Sequence, residues 1–236
     1  MYPDQVHRAL EVFNLFNIKP MRPLILAVAD KMSAKEASPS LQFLLSLTVR
    51  LVIASTTRSG SVETPLADAA HKVFERTVAT CAQLKAELLG LTPGDSVFVD
   101  AFELARVSNA RIARYYLRSL EMTAKNEAEP WFVPDDDRQI ITLEHVLPKK
   151  PEGNWSQFTE EEAQQLTNRL GNQVLLRRRD NSELRSQAFI DKRVVYEASP
   201  YSLTSQVGQA TDWTADAIRD RQKTLAGLAA ATWPVR

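Results

Sequence analysis

The chain has 236 residues, 44% of them hydrophobic, with 29 Lys and Arg balanced by 29 Asp and Glu. That length buries a sizeable core, as one large domain or two modest ones, and the neutral balance excludes a partner recruited by overall charge. A single cysteine, Cys81, excludes an intramolecular disulfide and a cysteine-based zinc site, so a reducing cytosol is the expected compartment.

In chain order, residues 4–126 read as helices. Asp4 caps a first helix on which Val6, Ala9, Leu10, Phe13 and Phe16 recur at helical spacing. Pro23 opens a short second one over 24–32. Ser38-Pro39 and Thr64-Pro65 have the cap-then-proline form of a helix start, which predicts longer helices over 39–56 and 65–89, separated by a turn at 59–61. Cys81 falls in the second and is read as helix core. The apolar-rich run 41–54 is broken by Gln42, Ser46, Thr48 and Arg50, and no charged-then-apolar leader opens the chain, so neither membrane insertion nor secretion is expected. A short helix is expected over 96–106, and Ser108 is read as the cap of a last long one to about residue 125. His7 and His71 have no ligand partner at helical spacing and read as ordinary helix residues. Arg106, Arg111, Arg114 and Arg118 form either a basic stripe or a solvated face.

The composition shifts over 127–137 to two prolines and an acidic run, a connector. A strand is read over 140–143, and Thr159 before three glutamates is a capped helix start. A second strand covers 172–177, Asn181-Ser182 opens a helix to about 197, and Thr214 caps a final helix over 215–231. The expected organisation is a helical bundle over 1–126, a linker over 127–138 and a second region over 139–236. The fold class is mainly α, with two strands clasped by helices and no large sheet.

Chemistry enters at Glu144-His145, a carboxylate and an imidazole side by side on a strand that Pro148 stops. Neighbouring strand residues point to opposite faces, so the two meet at one site only where the strand is breaking. Between residues 169 and 193 seven cations face three anions, a local excess of +4 that suits a phosphate backbone and equally a solvated face.

Several motifs carry a resemblance: Leu-Glu-His-Val-Leu-Pro around His145, Leu-Gly-Asn-Gln-Val-Leu-Leu around Asn172, and Asp180-Asn181 ahead of a helix. This order resembles the HNH, or ββα-metal finger, nucleases. With Phe189 to Lys192, Trp213, Ile218, Arg221 and Trp233 it resembles more narrowly the C-terminal nuclease half of GmrSD-type and SspE-type phage-defence proteins. The resemblance implies a metal-dependent DNA endonuclease or nickase, the effector of a modification-dependent restriction protein. It implies His145 as general base, Glu144 and Asn181 as ligands of one Mg²⁺ or Mn²⁺, and Asn172 as a brace for the His-bearing loop. Arg177, Arg178, Arg179, Lys192 and Arg193 are the expected phosphate contacts. The family often has Asp where this chain has Glu144, and the stretch between His145 and Asn172 is longer than in minimal HNH domains. The chain is read as the C-terminal piece of a longer protein whose sensor and nucleotide-hydrolysing half lies before it. An inactive DNA-binding module and an RNase or toxin-type nuclease on the same fold are the alternatives.

Overall fold

A computed structural model describes residues 4–55, 61–129, 140–151, 153–181, 184 and 186–235. Most of the connector expected over 127–138, and most of the turn at 59–61, lie outside the described residues. The fold is mainly α, as expected, and among the described residues the strands form one two-stranded antiparallel sheet. None of the described helices is long and apolar enough to cross a membrane. The chain divides into two compact units.

The first unit covers residues 1–101 with 131–134 and 230–236. It contains α1 (Asp4–Phe16), α2 (Arg22–Lys31), α3 (Ala34–Ile53), α4 (Glu63–Phe74), α5 (Cys81–Glu87) and the first residues of α6 (Asp95–Leu104), the short helix expected over 96–106. Two expectations are corrected here. The helix expected to start at Pro39 begins at Ala34, with Pro39 inside it. The proline removes one backbone donor, yet the helix continues because every residue from Leu41 to Leu51 except Gln42 is buried, and packing outweighs the missing bond. The single helix expected over 65–89 is two. Arg76 turns into the left-handed region at φ 60°, and Thr80 then caps α5 through a capping box with Gln83. Cys81 thus opens α5 and is only partly buried, rather than sitting in a helix core. The buried guanidinium of Arg50 ties this unit together. It donates to the carbonyls of Trp233 and Pro93 at 2.9 Å each, pairs with Asp95 at 2.7 Å and lies over the Phe98 ring.

The second unit covers residues 102–130 and 135–229. Its α7 (Ala110–Ala124) is capped by Asn109, whose side chain accepts from Arg111 N–H and Ile112 N–H; Ser108 was the expected cap. Although read with the helical lead-in, α7 packs on the hairpin of β1 (Ile141–His145) and β2 (Gln173–Arg177). The pairing runs from Ile141 opposite Arg177 to His145 opposite Gln173. Between the strands, α8 (Glu160–Leu166) starts at Thr159, the cap that the sequence predicts, which forms a capping box with Glu162. The helix expected over 181–197 is divided: Asn181 ends a short α9 (Arg178–Asn181), and α10 starts only at Phe189 (Phe189–Glu197). An unanticipated α11 (Ser202–Gly208) follows, then α12 (Ala215–Thr232), where Thr214 Oγ1 accepts from Ala217 N–H. Trp155, Val174, Leu176, Phe189, Tyr196 and Trp213 lie in the core that these elements enclose.

Gly171 is where α12 meets the hairpin most closely. A Cβ there would lie 2.2 Å from the Ile218 carbonyl oxygen and 3.0 Å from Gln222. Gly171→Ala should therefore cost about 1–3 kcal/mol or more of stability through overpacking, read as a lower melting temperature by circular dichroism. Melting at the wild-type temperature would show that α12 does not rest on this turn.

Candidate functional site

The hairpin sorts its two chemical residues by face. Both Glu144 and His145 are within β1, so they project to opposite sides. Glu144 points to the α10 side, where Lys192 Nζ donates to its carboxylate at 2.6 Å. The same ammonium donates to the carbonyls of His145 and Val146 at 3.1 and 3.2 Å, so all three of its protons are engaged. Burial pushes the Glu144 carboxyl up and the Lys192 ammonium down, and their mutual attraction opposes both shifts. Tyr196 lies beside them, its phenol held well above its ordinary pKa by burial and by the Glu144 charge.

His145 lies on the other face, opposite Gln173. The Gln173 amide nitrogen donates to the Val107 carbonyl at 3.0 Å and lies 3.2 Å from His145 Nε2. A nitrogen committed to a carbonyl on one side is a donor on the other, which makes His145 Nε2 the acceptor and places the ring proton on Nδ1. Among the described residues Gln173 Oε1 is buried without a partner. Burial, with smaller contributions from the Lys149 and Lys192 charges, lowers the imidazole to about 4, so it is neutral at pH 7.

Asn172 joins the loop after His145 to the rest of the unit. Its Oδ1 accepts from Leu147 N–H at 2.8 Å and from Trp213 Nε1–H at 3.1 Å. Its amide nitrogen donates to the carbonyls of Leu147 at 2.9 Å and Thr167 at 3.1 Å. Arg221 completes the support. One of its guanidinium nitrogens lies 2.8–2.9 Å from the carbonyls of Leu170, Gly171 and Gln173, and burial lowers its pKa to about 10, leaving it charged at neutral pH.

The expected phosphate contacts separate. Arg177, Arg178 and Arg179 are exposed, at the hairpin end away from His145. Arg193 is partly buried and donates to the Gly208 carbonyl at 3.0 Å. Lys192 is fully buried and spent on Glu144, which corrects its expected place on a DNA-facing surface. The sequence held the signal for this: Phe189, Lys192 and Tyr196 lie three and four residues apart, on the stripe of α10 that turns inward. Gln173 and Tyr196 were not singled out at all. The strand register makes Gln173 the partner of His145, a fact recoverable only once the pairing is known.

Among the described residues no group of three or more His, Cys, Asp or Glu gathers as a metal cluster. The remaining donors are hard oxygens. Asn181 uses its amide nitrogen on Thr142 Oγ1 at 2.9 Å and on the Leu143 carbonyl at 3.4 Å, which leaves Oδ1. Lys192 takes one Glu144 carboxylate oxygen, and the Tyr196 phenol also lies against that carboxylate. A carboxylate and an amide oxygen are hard donors of the kind that Mg²⁺ and Mn²⁺ take, with water and phosphate completing the shell. The Lys192 ammonium is the competing cation.

Compared with known families, the chain matches the model described as GmrSD restriction endonucleases, C-terminal domain, over residues 92–228, more than half its length. That stretch contains every residue of the site above. No curated protein matches the chain.

The buried imidazole has a consequence for stability. Its folded pKa lies below the unfolded value of about 6.5, so the unfolded chain takes the proton first. This contribution is fully present above about pH 6.5 and is lost as pH falls toward 4. Urea midpoints should therefore fall less steeply for His145→Gln than for wild type across that window. Parallel pH profiles would show that the ring is not desolvated.

Proposed function

Because the chain belongs to the family of GmrSD restriction endonuclease C-terminal domains, we propose that it is a metal-dependent DNA endonuclease or nickase of the HNH type. It serves as the effector of a modification-dependent anti-phage restriction protein, working with a sensor half of the same protein in the cytoplasm. One observation carries this reading: His145 stands neutral at the end of β1, braced by the loop contacts of Asn172.

A neutral imidazole can take a proton from the water that attacks a phosphodiester. Its depressed pKa makes it a weak base in the free protein, and an anionic phosphate seated beside it raises that pKa toward the neutral range as substrate binds. The accepting atom is Nε2, which holds the lone pair but receives the Gln173 amide N–H in the free protein, so that amide has to move aside before the proton arrives. Lys192 favours the charged carboxylate of Glu144 against burial, and Asn172 keeps the loop from drifting. Glu144 and Asn181 are the residues that would hold one Mg²⁺ or Mn²⁺, which when bound neutralises the scissile phosphate and the departing 3′ oxygen. Arg177, Arg178 and Arg179 offer exposed donors to phosphates further along the DNA, and Arg193 adds a fourth.

The grip of Lys192 on Glu144 favours one rival, a DNA-binding module that takes no metal. Nicking of supercoiled plasmid in Mg²⁺, Mn²⁺ or EDTA separates the two. Cleavage should require the cation, and His145→Ala should slow it by roughly 10²–10⁴ with fold and DNA affinity kept. DNA bound but never cut in any cation would leave the binding module standing. Glu144→Gln should raise the Mg²⁺ concentration needed for half-maximal rate, measured by titration at fixed plasmid. An unaltered titration would remove Glu144 from the ligands.

A further inference from the structure

The second unit opens a cleft of about 890 Å³ with Trp155 and Phe158 in its lining. Its charged lining residues are Arg106, Lys149, Lys150 and Glu160, all exposed, three cations against one carboxylate. Among the described residues neither lysine has an ion pair.

The cleft is tied to the imidazole by the backbone on both sides. Ser108 lines it and follows Val107, whose carbonyl accepts from the same Gln173 amide that meets His145. Arg106 is held in place by a backbone bridge to Arg169, by Val107 N–H donating to the Asn168 carbonyl at 2.7 Å, and by its own Nη2 donating to the Gln164 carbonyl at 2.7 Å. Lys149 follows His145 by four residues, and its charge acts on the ring. Arg177 pairs with Ile141 at the far end of the hairpin. Four strand residues at roughly 3.4 Å each put it about 14 Å along from the His145 end. The cations nearest the imidazole are thus not the arginines that follow β2.

We propose that this cleft seats the phosphodiester backbone of the DNA strand presented to His145, with Lys149, Lys150 and Arg106 binding its phosphates. The inference rests on the nuclease reading and adds to it the path of the strand. Basic side chains in such a groove bind by releasing counterions, so their removal weakens binding to all sequences alike and flattens its salt dependence.

The test is fluorescence anisotropy of a short labelled DNA duplex over a KCl series, in Mg²⁺, on the His145→Ala background. Lys149→Ala with Lys150→Ala should lower the salt slope by about 1.8, at about 0.9 for each phosphate no longer neutralised, and weaken affinity several-fold more than Lys223→Ala, an equivalent charge removal on exposed α12 surface. A double variant that shifts slope and affinity no more than Lys223→Ala overturns the cleft. Plasmid nicking by the otherwise wild-type chain keeps the two ideas apart. Nicking with an unshifted slope sinks the cleft alone, whereas a chain that neither nicks nor binds duplex sinks the nuclease reading and the cleft with it.

Discussion

The side-chain amide of Asn172 is the junction on which the site depends. Four hydrogen bonds converge on it, from the backbone after His145, the residue that ends α8, and the indole that precedes α12. An amide buried with every proton and lone pair engaged tolerates one geometry, because each orphaned partner costs about 1–3 kcal/mol. The loop carrying His145 out of the strand therefore has a fixed exit direction, and the ring position follows from it.

The pleat of β1 imposes the second constraint. Adjacent residues face opposite ways, so a carboxylate and an imidazole at consecutive positions enter different environments. Glu144 goes toward the core, where desolvation of a charge costs several kcal/mol and Lys192 offsets it. His145 goes toward Val107 and Gln173, where nothing offsets burial of a cation and the ring stays neutral. An apolar pair of the same volume would serve stability at least as well as Glu144 with Lys192.

Support for this arrangement comes from α12. Gln222 accepts from Gly171 N–H and donates to the Phe102 carbonyl at 2.7 Å. Arg221 gathers the carbonyls that lead into β2. A helix pressed against the backbone at Gly171 and bonded to both flanks of the turn sets where β2 begins, and so which residue stands opposite His145.

Much of this was legible in the residues themselves. The two short strands, the caps at Thr159 and Thr214, and the order of Glu144-His145, Asn172 and Asn181 are local patterns, set by turn chemistry and alternation that neighbours in the chain decide. Pro39 inside α3 was not legible, because burial around Leu41 to Leu51 outweighs a proline's local preference. The break at Arg76 went unread although Thr80 and Gln83 spell the next cap. Asn181 looked like a helix start, but it ends α9 and spends its amide on β1, contacts that exist only once hairpin and helix meet. The same holds for Lys192: charge alone places a lysine in solvent, and only packing of α10 on the hairpin reveals an ammonium enclosed by a carboxylate and two carbonyls. The sequence by itself determined which groups the hairpin carries, since those depend on residue type and period. The tertiary structure decided which face each meets and what partner it finds there, because desolvation and hydrogen-bond geometry are properties of neighbours brought together from distant parts of the chain.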